Sequence, residues 1–239
     1  MNHDKDRIRF AAWERFKPVQ ENSEDWQTYR SFKGQASDSL PKRIRYLNLA
    51  QLVRHVMAAD IAGSFAECGC LAGHSAHLIA QTMQRCGQPR GLMIFDSFEG
   101  LSKPVAEDFA TGPHHVDAWD MQARLKSGRA RFACDLPTVM RNLHDYRFIS
   151  YFPGWIPETF SQVDGDSFAF VNIDVDLYEP TRDSLEFFYP RLSPGGVIQI
   201  DDYNFMDWPG ATKAVDEFLS RHRPSFFLNL PLGGAFLIK

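Results

Sequence analysis

Short apolar runs alternate with helix-forming segments along most of this chain, and this alternation constrains its fold more than any other feature. The runs that predict strands lie at 64–68, 91–95, 147–152, 168–173 and 197–200, the last after a turn at Pro194-Gly195-Gly196. The segments that predict helices lie at 39–57, 75–84, 135–143, 156–160, 180–192 and 209–221. This order predicts an α/β domain with a mainly parallel sheet and helices on both faces. Runs at 226–230 and 235–238 flank Gly233-Gly234 and predict a closing antiparallel hairpin.

Composition and charge exclude several classes of protein. The chain has 239 residues, 44% of them hydrophobic, which is enough for a large core. Its net charge is −4 and no basic run stands out, so nucleic acid is not the expected partner. No apolar stretch approaches the roughly 20 residues of a membrane span, and the first residues lack the apolar centre of a signal peptide. Four cysteines without CxxC spacing then favour a reduced, cytoplasmic protein, with a homo-oligomer left open.

Two polar segments flank or interrupt the predicted domain. Residues 1–38 carry six aromatic side chains, and we interpret this segment as an arm that packs on the domain, on a partner subunit or over a site. Residues 39–239 are expected to form a single domain. Residues 101–130 form a long polar connection, a length typical of a functional lid or a disordered loop.

Carboxylates follow two of the predicted strands directly. Asp174 and Asp176 come after the run at 168–173, and Asp201 and Asp202 come after the run at 197–200. Parallel neighbouring strands lie about 4.8 Å apart, so these acids would converge at one sheet edge. If the chain stays extended there, Asp174 and Asp176 point the same way. Such a cluster repels itself unless a cation or shared protons offset the repulsion, and hard oxygen ligands suit Mg²⁺. The alternative is that these acids cap helices and face solvent.

A turn with two glycines follows the first predicted strand. It contains Glu67, Gly69, Gly73 and Ser75, and its GxxxG spacing differs from the GxGxxG of dinucleotide sites. Glu67 would attract a cationic group, and Asp96 at the end of the second strand can accept both hydroxyls of a ribose. A nucleoside with a cation and no phosphate fits these features, which describes S-adenosylmethionine. The alternative is an ordinary glycine turn after a strand.

Several motifs then resemble a known family. The turn at 67–75 with Asp96 is similar to class I methyltransferases, in particular the metal-dependent catechol-type O-methyltransferases. The segments 152–155, 173–181, 189–196 and 200–203 resemble the macrocin O-methyltransferase family, whose members methylate sugar hydroxyls on antibiotics. The match covers residues 43–217. It implies a Rossmann-like fold with a seven-stranded sheet, S-adenosylmethionine and Mg²⁺ as cofactors, and a small-molecule acceptor, with a sugar hydroxyl expected.

The resemblance also implies roles for single residues. It makes Asp174, Asp201 and Asp202 the Mg²⁺ ligands and Asp176 the general base, with Asp174 beside it in the catalytic centre. The implied donor contacts are Glu67, Gly69, Gly73, Ser75, Asp96, Ser97 and Asp174. The chain departs from the family at Ala72-Gly73-His74, where many members have Arg-Gly-Gly. This departure affects the surroundings of the methionine moiety.

Other candidates and other functions stay open at this point. His74, Trp155 and Trp208 are candidate ligand contacts; the alternative is local hydrogen bonding for His74 and core packing for the two tryptophans. His114-His115 is predicted to lie in a solvated loop. The alternative role for Asp176 is to cap the following helix. A phenolic acceptor competes with a sugar. A non-catalytic protein that binds S-adenosylmethionine and a nucleotide-dependent oxidoreductase are the other classes, the latter disfavoured by the missing GxGxxG.

Overall fold

A seven-stranded sheet forms the centre of the molecule. The computed structural model describes residues 23–34, 38–87, 89–109 and 132–239. The strands are β1 (Ser64–Cys68), β2 (Leu92–Asp96), β3 (Ile149–Pro153), β4 (Phe168–Ile173), β5 (Leu192–Ile200), β6 (Phe226–Asn229) and β7 (Ala235–Ile238). The α-helices within the described ranges are α1 (Glu24–Ser31), α2 (Leu40–Ala58), α3 (His74–Arg85), α4 (Leu136–Asn142), α5 (Tyr178–Arg191) and α6 (Pro209–Arg221). Short 3₁₀ helices span Ala106–Asp108 and Glu158–Val163.

The strand order is β3-β2-β1-β4-β5-β7-β6. Strands β1 to β5 pair in parallel, whereas β7 runs antiparallel to both β5 and β6. The predicted α/β fold, with its mainly parallel sheet and C-terminal antiparallel hairpin, is therefore confirmed. The chain winds outward in opposite directions from β1 and β4, so a switch point lies between these two strands. Ligands of open α/β sheets bind at the carboxyl ends of the strands beside such a point.

Each face of the sheet carries its own apolar layer. Side chains such as Phe65 and Phe170 pack with α1 to α4 on one face. Side chains such as Phe95 and Phe168 pack with α5 and α6 on the other, where Phe188 makes edge contacts with both rings. Strand β4 is buried along its whole length because it is central and covered on both faces.

The structure differs from the predicted elements at three places. The segment predicted as a short helix at 156–160 is a 3₁₀ helix with shifted bounds, Glu158–Val163. Strand β5 begins at Leu192 rather than at residue 197, because the Pro-Gly-Gly turn is absorbed into the strand as an irregularity. Gly195 has φ +78°, and the pairing with β4 jumps from Leu192 to Val197 across this point. Helix α1 was not predicted.

Helix α1 packs the described part of the arm onto the domain. Ser23 caps it by accepting a hydrogen bond from the Trp26 amide at 3.2 Å. Trp26 and Tyr29 are buried in the core against α2 and α3. Residues 1–22 and 110–131, which include His114 and His115 and most of the proposed lid, lie outside the described residues. Within the described ranges, no helix combines the length and the apolar character that a membrane crossing needs.

Candidate functional site

A cavity of about 260 Å³ opens at the carboxyl ends of β1, β2, β4 and β5. Ten residues were predicted to form the site, and eight of them line this cavity: Gly69, Ser75, Asp96, Ser97, Asp174, Asp176, Asp201 and Asp202. The other two, Glu67 and Gly73, are not among its lining residues. The structure thus brings the glycine turn, the β2 acid and the paired acids after β4 and β5 to one place.

The glycine turn is shaped by the close approach of two strand ends. Gly69 has φ +79°, and a Cβ atom at this position would lie 1.9 Å from the carbonyl oxygen of Asp174. Gly73 has φ +92°, and a Cβ there would meet Leu143 of α4 at 3.0 Å. Both positions favour glycine because side chains rarely adopt this backbone region. At Gly69 the nearest obstacle is the β4 loop, so this glycine sets the spacing between the turn and the acids.

Asp96 stabilises the same turn through hydrogen bonds. Its Oδ2 atom accepts hydrogen bonds from the amides of Cys70 at 2.7 Å and Leu71 at 3.3 Å, and its Oδ1 atom accepts one from Phe98 at 2.7 Å. A carboxylate has about four acceptor positions, so capacity for a further donor remains. The neighbouring Ser97 hydroxyl donates to the Gly100 carbonyl at 2.8 Å. Asp96 therefore fixes the turn and can still accept hydroxyl groups from a ligand.

Glu67 lies in β1 and is not among the residues that line the cavity. It is fully buried, and its Oε1 atom accepts a hydrogen bond from the Asn172 side chain at 2.9 Å. Among the described residues, its Oε2 atom has no hydrogen-bond partner within range. Burial raises the pKa of Glu67 from 4.5 to about 7, although the neighbouring Ser75 hydroxyl and the Asn172 amide oppose the shift. A carboxyl group in this state is poised between its neutral and charged forms near neutral pH.

Three carboxylates, two of them buried and one half-buried, form a compact cluster at the other side of the cavity. Each of Asp174, Asp176 and Asp202 offers an oxygen, and these oxygens lie within 4.8 Å of one another. Burial, and then mutual repulsion among the acids, raises the pKa of all three well above the usual value. Asp202 Oδ2 also accepts a hydrogen bond from the Asp176 amide at 2.9 Å. Hard oxygen donors that repel one another fit a divalent cation such as Mg²⁺.

The backbone that carries the first two acids is not extended, which corrects the expectation from the sequence. Strand β4 ends at Ile173, and Asp176 has a left-handed φ of +61°. The Leu177 amide donates to the Val175 carbonyl at 2.6 Å, which closes a tight turn. Asp174 and Asp176 therefore converge through this turn and not through the alternation of a strand.

Asp201 lies in the cavity but is held differently from the cluster. Its Oδ1 atom accepts a hydrogen bond from Arg45 Nε at 2.8 Å, and both side chains are mostly buried. The structure thus groups Asp176, rather than Asp201, with the other two acids. Asp174 and Asp202 belong to both the implied ligand set and the observed cluster.

Helix α2 supplies cavity residues that the sequence analysis missed. Lys42, Arg45 and Tyr46 all line the cavity. Their i, i+3 and i+4 spacing places them on one helix face, and this spacing was a signal available in the sequence. This polar face was overlooked because the leucines and valines of the same helix dominate its hydrophobic pattern.

His74 joins the arm to the cavity. Its Nε2 atom lies 2.9 Å from the Tyr29 carbonyl oxygen, so Nε2 carries the hydrogen of a neutral ring. The ring stacks on Phe32 at 4.8 Å and contacts the rings of Tyr29 and Tyr46 at 4.6 Å. Burial lowers the pKa of His74 from 6.5 to about 4. The earlier candidates Trp155 and Trp208 also line the cavity.

Comparisons with known proteins agree with this geometry. The profile of the macrocin O-methyltransferase (TylF) family matches residues 4–226. The chain is 32% identical over 161 residues to a tetracenomycin-sugar 4'-O-methyltransferase of Streptomyces olivaceus, covering 65% of the chain and 59% of that relative. It is 30% identical over 182 residues to the demethyldecarbamoylnovobiocin O-methyltransferase of Streptomyces niveus, covering 74% and 66%. It is also 30% identical over 184 residues to the mycinamicin III 3''-O-methyltransferase of Micromonospora griseorubida, covering 74% and 68%.

Solved structures show the same fold. The O-methyltransferase NovP superposes with a TM-score of 0.67 at 26% identity, covering 82% of this chain and 79% of that one. The calicheamicin methyltransferase CalS11 superposes with a TM-score of 0.56 at 18% identity, covering 94% and 90%. The matches span about three fifths to two thirds of the length of the curated relatives. Since the family profile covers nearly the whole sequence, this chain belongs to the macrocin O-methyltransferase (TylF) family.

Proposed function

We propose that this protein is an S-adenosylmethionine-dependent and Mg²⁺-dependent O-methyltransferase that acts on a sugar hydroxyl of a natural product. The observation that carries the proposal is that one cavity at the switch point combines a hydrogen-bonded glycine turn with a cluster of three carboxylates. The acceptor class is taken from the name of the tetracenomycin relative, which describes O-methylation of a rhamnosyl-tetracenomycin, while the names of the other two describe O-methylation of a novobiocin and a mycinamicin compound.

The glycine turn and Asp96 form the proposed donor site. When bound, S-adenosylmethionine supplies an activated methyl group. Asp96 would accept a ribose hydroxyl, and the turn around Gly69 would hold the nucleoside beside the acid cluster. Ser97 stiffens the loop after β2 through its bond to Gly100. Fixing two reactants in one geometry is the main contribution a protein makes to such a displacement.

Asp174, Asp201 and Asp202 are the proposed ligands of Mg²⁺. When bound, the ion supplies a Lewis acid that lowers the pKa of an alcohol and orients it. The Arg45 guanidinium fixes Asp201 from the side of α2. The backbone amide of Asp176 fixes Asp202. The acids are thus held in place by neighbours before any ligand enters.

Asp176 is the proposed general base. Its carboxyl group is buried next to Asp174, and this environment raises its pKa well above the usual value. A carboxylate with a raised pKa is a stronger base once it is ionised, so it can take the proton of an acceptor hydroxyl within hydrogen-bond reach. The left-handed turn at Asp176 aims this group into the cavity beside the other acids.

Two segments are proposed to cover the acceptor. The 101–130 connection starts directly after the β2 loop, and Leu101 and Ser102 already line the cavity. The arm at 1–38 reaches the cavity wall through Tyr29 and His74. Closure over the acceptor would exclude water from the reaction.

One set of assays tests the donor and the chemistry separately. Calorimetry should detect S-adenosylmethionine and S-adenosylhomocysteine binding at micromolar Kd, about −8 kcal/mol. Transfer of a labelled methyl group to glycosylated natural products should stop in EDTA and return with Mg²⁺. Donor binding without transfer to any sugar or phenol would indicate a non-catalytic protein, and full turnover in EDTA would refute the metal mechanism. Transfer to catechols in preference to sugars would refute the acceptor class.

A pair of variants separates the two roles assigned to the acids. Asp202→Asn should weaken Mg²⁺ binding, whereas Asp176→Asn should keep Mg²⁺ binding and lower kcat by about 10²–10⁴-fold. Calorimetric titration with Mg²⁺ provides the binding readout. Equal loss of Mg²⁺ affinity in both variants would instead make Asp176 a ligand, as the compact cluster alone suggests.

A further inference from the structure

Lys42 lines the cavity with a charged side chain that has no role in the proposed function. It lies in the first turn of α2, one helical turn before Tyr46, and both residues line the cavity. Within the described ranges, no carboxylate is found within ion-pair distance of its ammonium group, and the nearest recorded partner is the Tyr46 ring at 5.5 Å. Its half-buried position lowers its pKa, although the nearby charges of Asp174 and Asp201 oppose the shift.

The other cation of the cavity already has a partner. Arg45 binds Asp201, and its guanidinium lies 5.3 Å from the ring of Phe205. The Cδ atom of Arg45 lies 3.2 Å from the place that a Cβ atom at Gly234 would occupy, so Arg45 lies on the side of β5 and β7. Lys42 lies almost one turn earlier on α2, and its charge acts on Asp174, Asp201 and Arg45 as well as on His74 at the start of α3.

The glycine turn offers no positive side chain to a ligand. Residues 70–73 are Cys, Leu, Ala and Gly, and the next residue, His74, is neutral with its Nε2 hydrogen given to Tyr29. Five acids line the rest of the cavity: Asp96, Asp174, Asp176, Asp201 and Asp202. An anionic group of a ligand that enters beside the turn would therefore meet lysine and arginine side chains of the described cavity lining on α2 alone.

We propose that the Lys42 ammonium binds the α-carboxylate at the methionine end of S-adenosylmethionine and of its demethylated product. This inference rests on the proposed function and adds a specific contact to it. The donor has a sulfonium, an ammonium and one carboxylate, and only the carboxylate is repelled by the acids of the cavity. The contact exchanges an unpaired ammonium for a charge-assisted hydrogen bond, the stronger class of hydrogen bonds in proteins.

The test compares two ligands that differ only in this carboxylate. S-adenosylhomocysteine carries it, whereas S-adenosyl-3-thiopropylamine, its decarboxylated analogue, keeps the nucleoside, the sulfur and the ammonium. Lys42→Met preserves the length of the side chain and removes the charge, Lys42→Arg keeps the charge, and Lys213→Met on the exposed face of α6 is the matched control. Kd values for both ligands are measured by calorimetry on the full chain, and thermal melting checks that each variant is folded.

Lys42→Met should weaken S-adenosylhomocysteine by about tenfold or more, in line with the loss of one hydrogen bond to a charged group. It should change the affinity for the decarboxylated analogue by less than about twofold, and Lys42→Arg and Lys213→Met should stay close to the wild type for both ligands.

Three results would overturn the assignment of Lys42 while leaving the proposed function intact. These are unchanged S-adenosylhomocysteine affinity in Lys42→Met, equal weakening of both ligands, and a fall in kcat or a rise in acceptor KM with donor affinity preserved. The last result would place the ammonium at the acceptor. A wild-type protein that binds no S-adenosylhomocysteine would refute the proposed function itself.

Discussion

Replacing Glu67 by Gln should make the protein more stable at alkaline pH, and the size of the effect follows from the burial of this carboxyl group. Glu67 is fully buried in β1, with Oε1 bonded to Asn172 and Oε2 unpartnered among the described residues. Glutamine has nearly the same shape, and its amide oxygen can accept the same bond from Asn172. The substitution therefore removes mainly the free energy needed to ionise a group in the core.

The direction of the pH dependence follows from the raised pKa. The pKa of Glu67 is about 7 in the folded protein and 4.5 ordinarily, so the folded state holds its proton more tightly than the unfolded state. The resulting stability is fully present below pH 4.5 and is lost as the pH rises through 7. A shift of this size corresponds to about 3 kcal/mol in total, of which about 2.5 kcal/mol is lost between pH 5 and pH 8.

Urea unfolding of the wild type and of Glu67→Gln at pH 5, 6, 7 and 8 in EDTA measures this loss. The free energy of unfolding of the variant, relative to the wild type, should rise by about 2.5 kcal/mol from pH 5 to pH 8. Glu158→Gln, on the exposed start of the 3₁₀ helix, is the matched control and should give a flat difference. A flat difference for Glu67→Gln as well would show that Glu67 is not desolvated in the folded state, and the reasoning would fail.

Three further substitutions test the packing around the cavity. Gly69→Ala should destabilise the protein by more than about 2 kcal/mol in urea unfolding, since its Cβ would overlap a backbone oxygen. Gly87 has a similar φ with open space around it, so Gly87→Ala should lower the free energy of unfolding by only about 1 kcal/mol. Equal losses of stability in the two variants would mean that the close contact at Gly69 is unimportant. Asp202→Asn should raise the melting temperature in EDTA at pH 8, because burial and the nearby acids disfavour its charged form, and a lowered melting temperature would contradict this. His74→Ala should speed hydrogen exchange in α1 by removing the ring against which Tyr29 and Phe32 pack, and unchanged exchange would show that α1 is held elsewhere.

Elements with a strong local pattern could be predicted from the sequence, and those decided by tertiary contacts could not. The strand at Phe168–Ile173 and the helix at Pro209–Arg221 have the predicted bounds, because a continuous apolar run and an N-terminal proline are local signals. The start of β5 was misplaced because Pro194-Gly195-Gly196 is typical of a turn. Here its backbone instead pairs with Lys239 at the chain's end, through bonds at Gly195 and Gly196 of 3.0 Å.

The same distinction applies to the site. The acids after β4 and β5 could be placed together because parallel strands end at one edge of a sheet. Which of these acids form the compact cluster could not be predicted. The cluster depends on a left-handed turn at Asp176 and on Arg45, which binds Asp201 from 156 positions away in the sequence. Lys42 was missed for the same reason: its role depends on where α2 lies over the sheet.

The contact between Gly69 and the Asp174 carbonyl has a consequence for how the two halves of the cavity respond to ligands. With no room for even a methyl group between them, the glycine turn and the acid loop are in direct contact. Under the proposed function, we expect a ligand that orders one half to lower the entropy lost when the second ligand orders the other, which would give positive cooperativity between donor and metal. By thermodynamic reciprocity, each should raise the affinity of the other by the same factor.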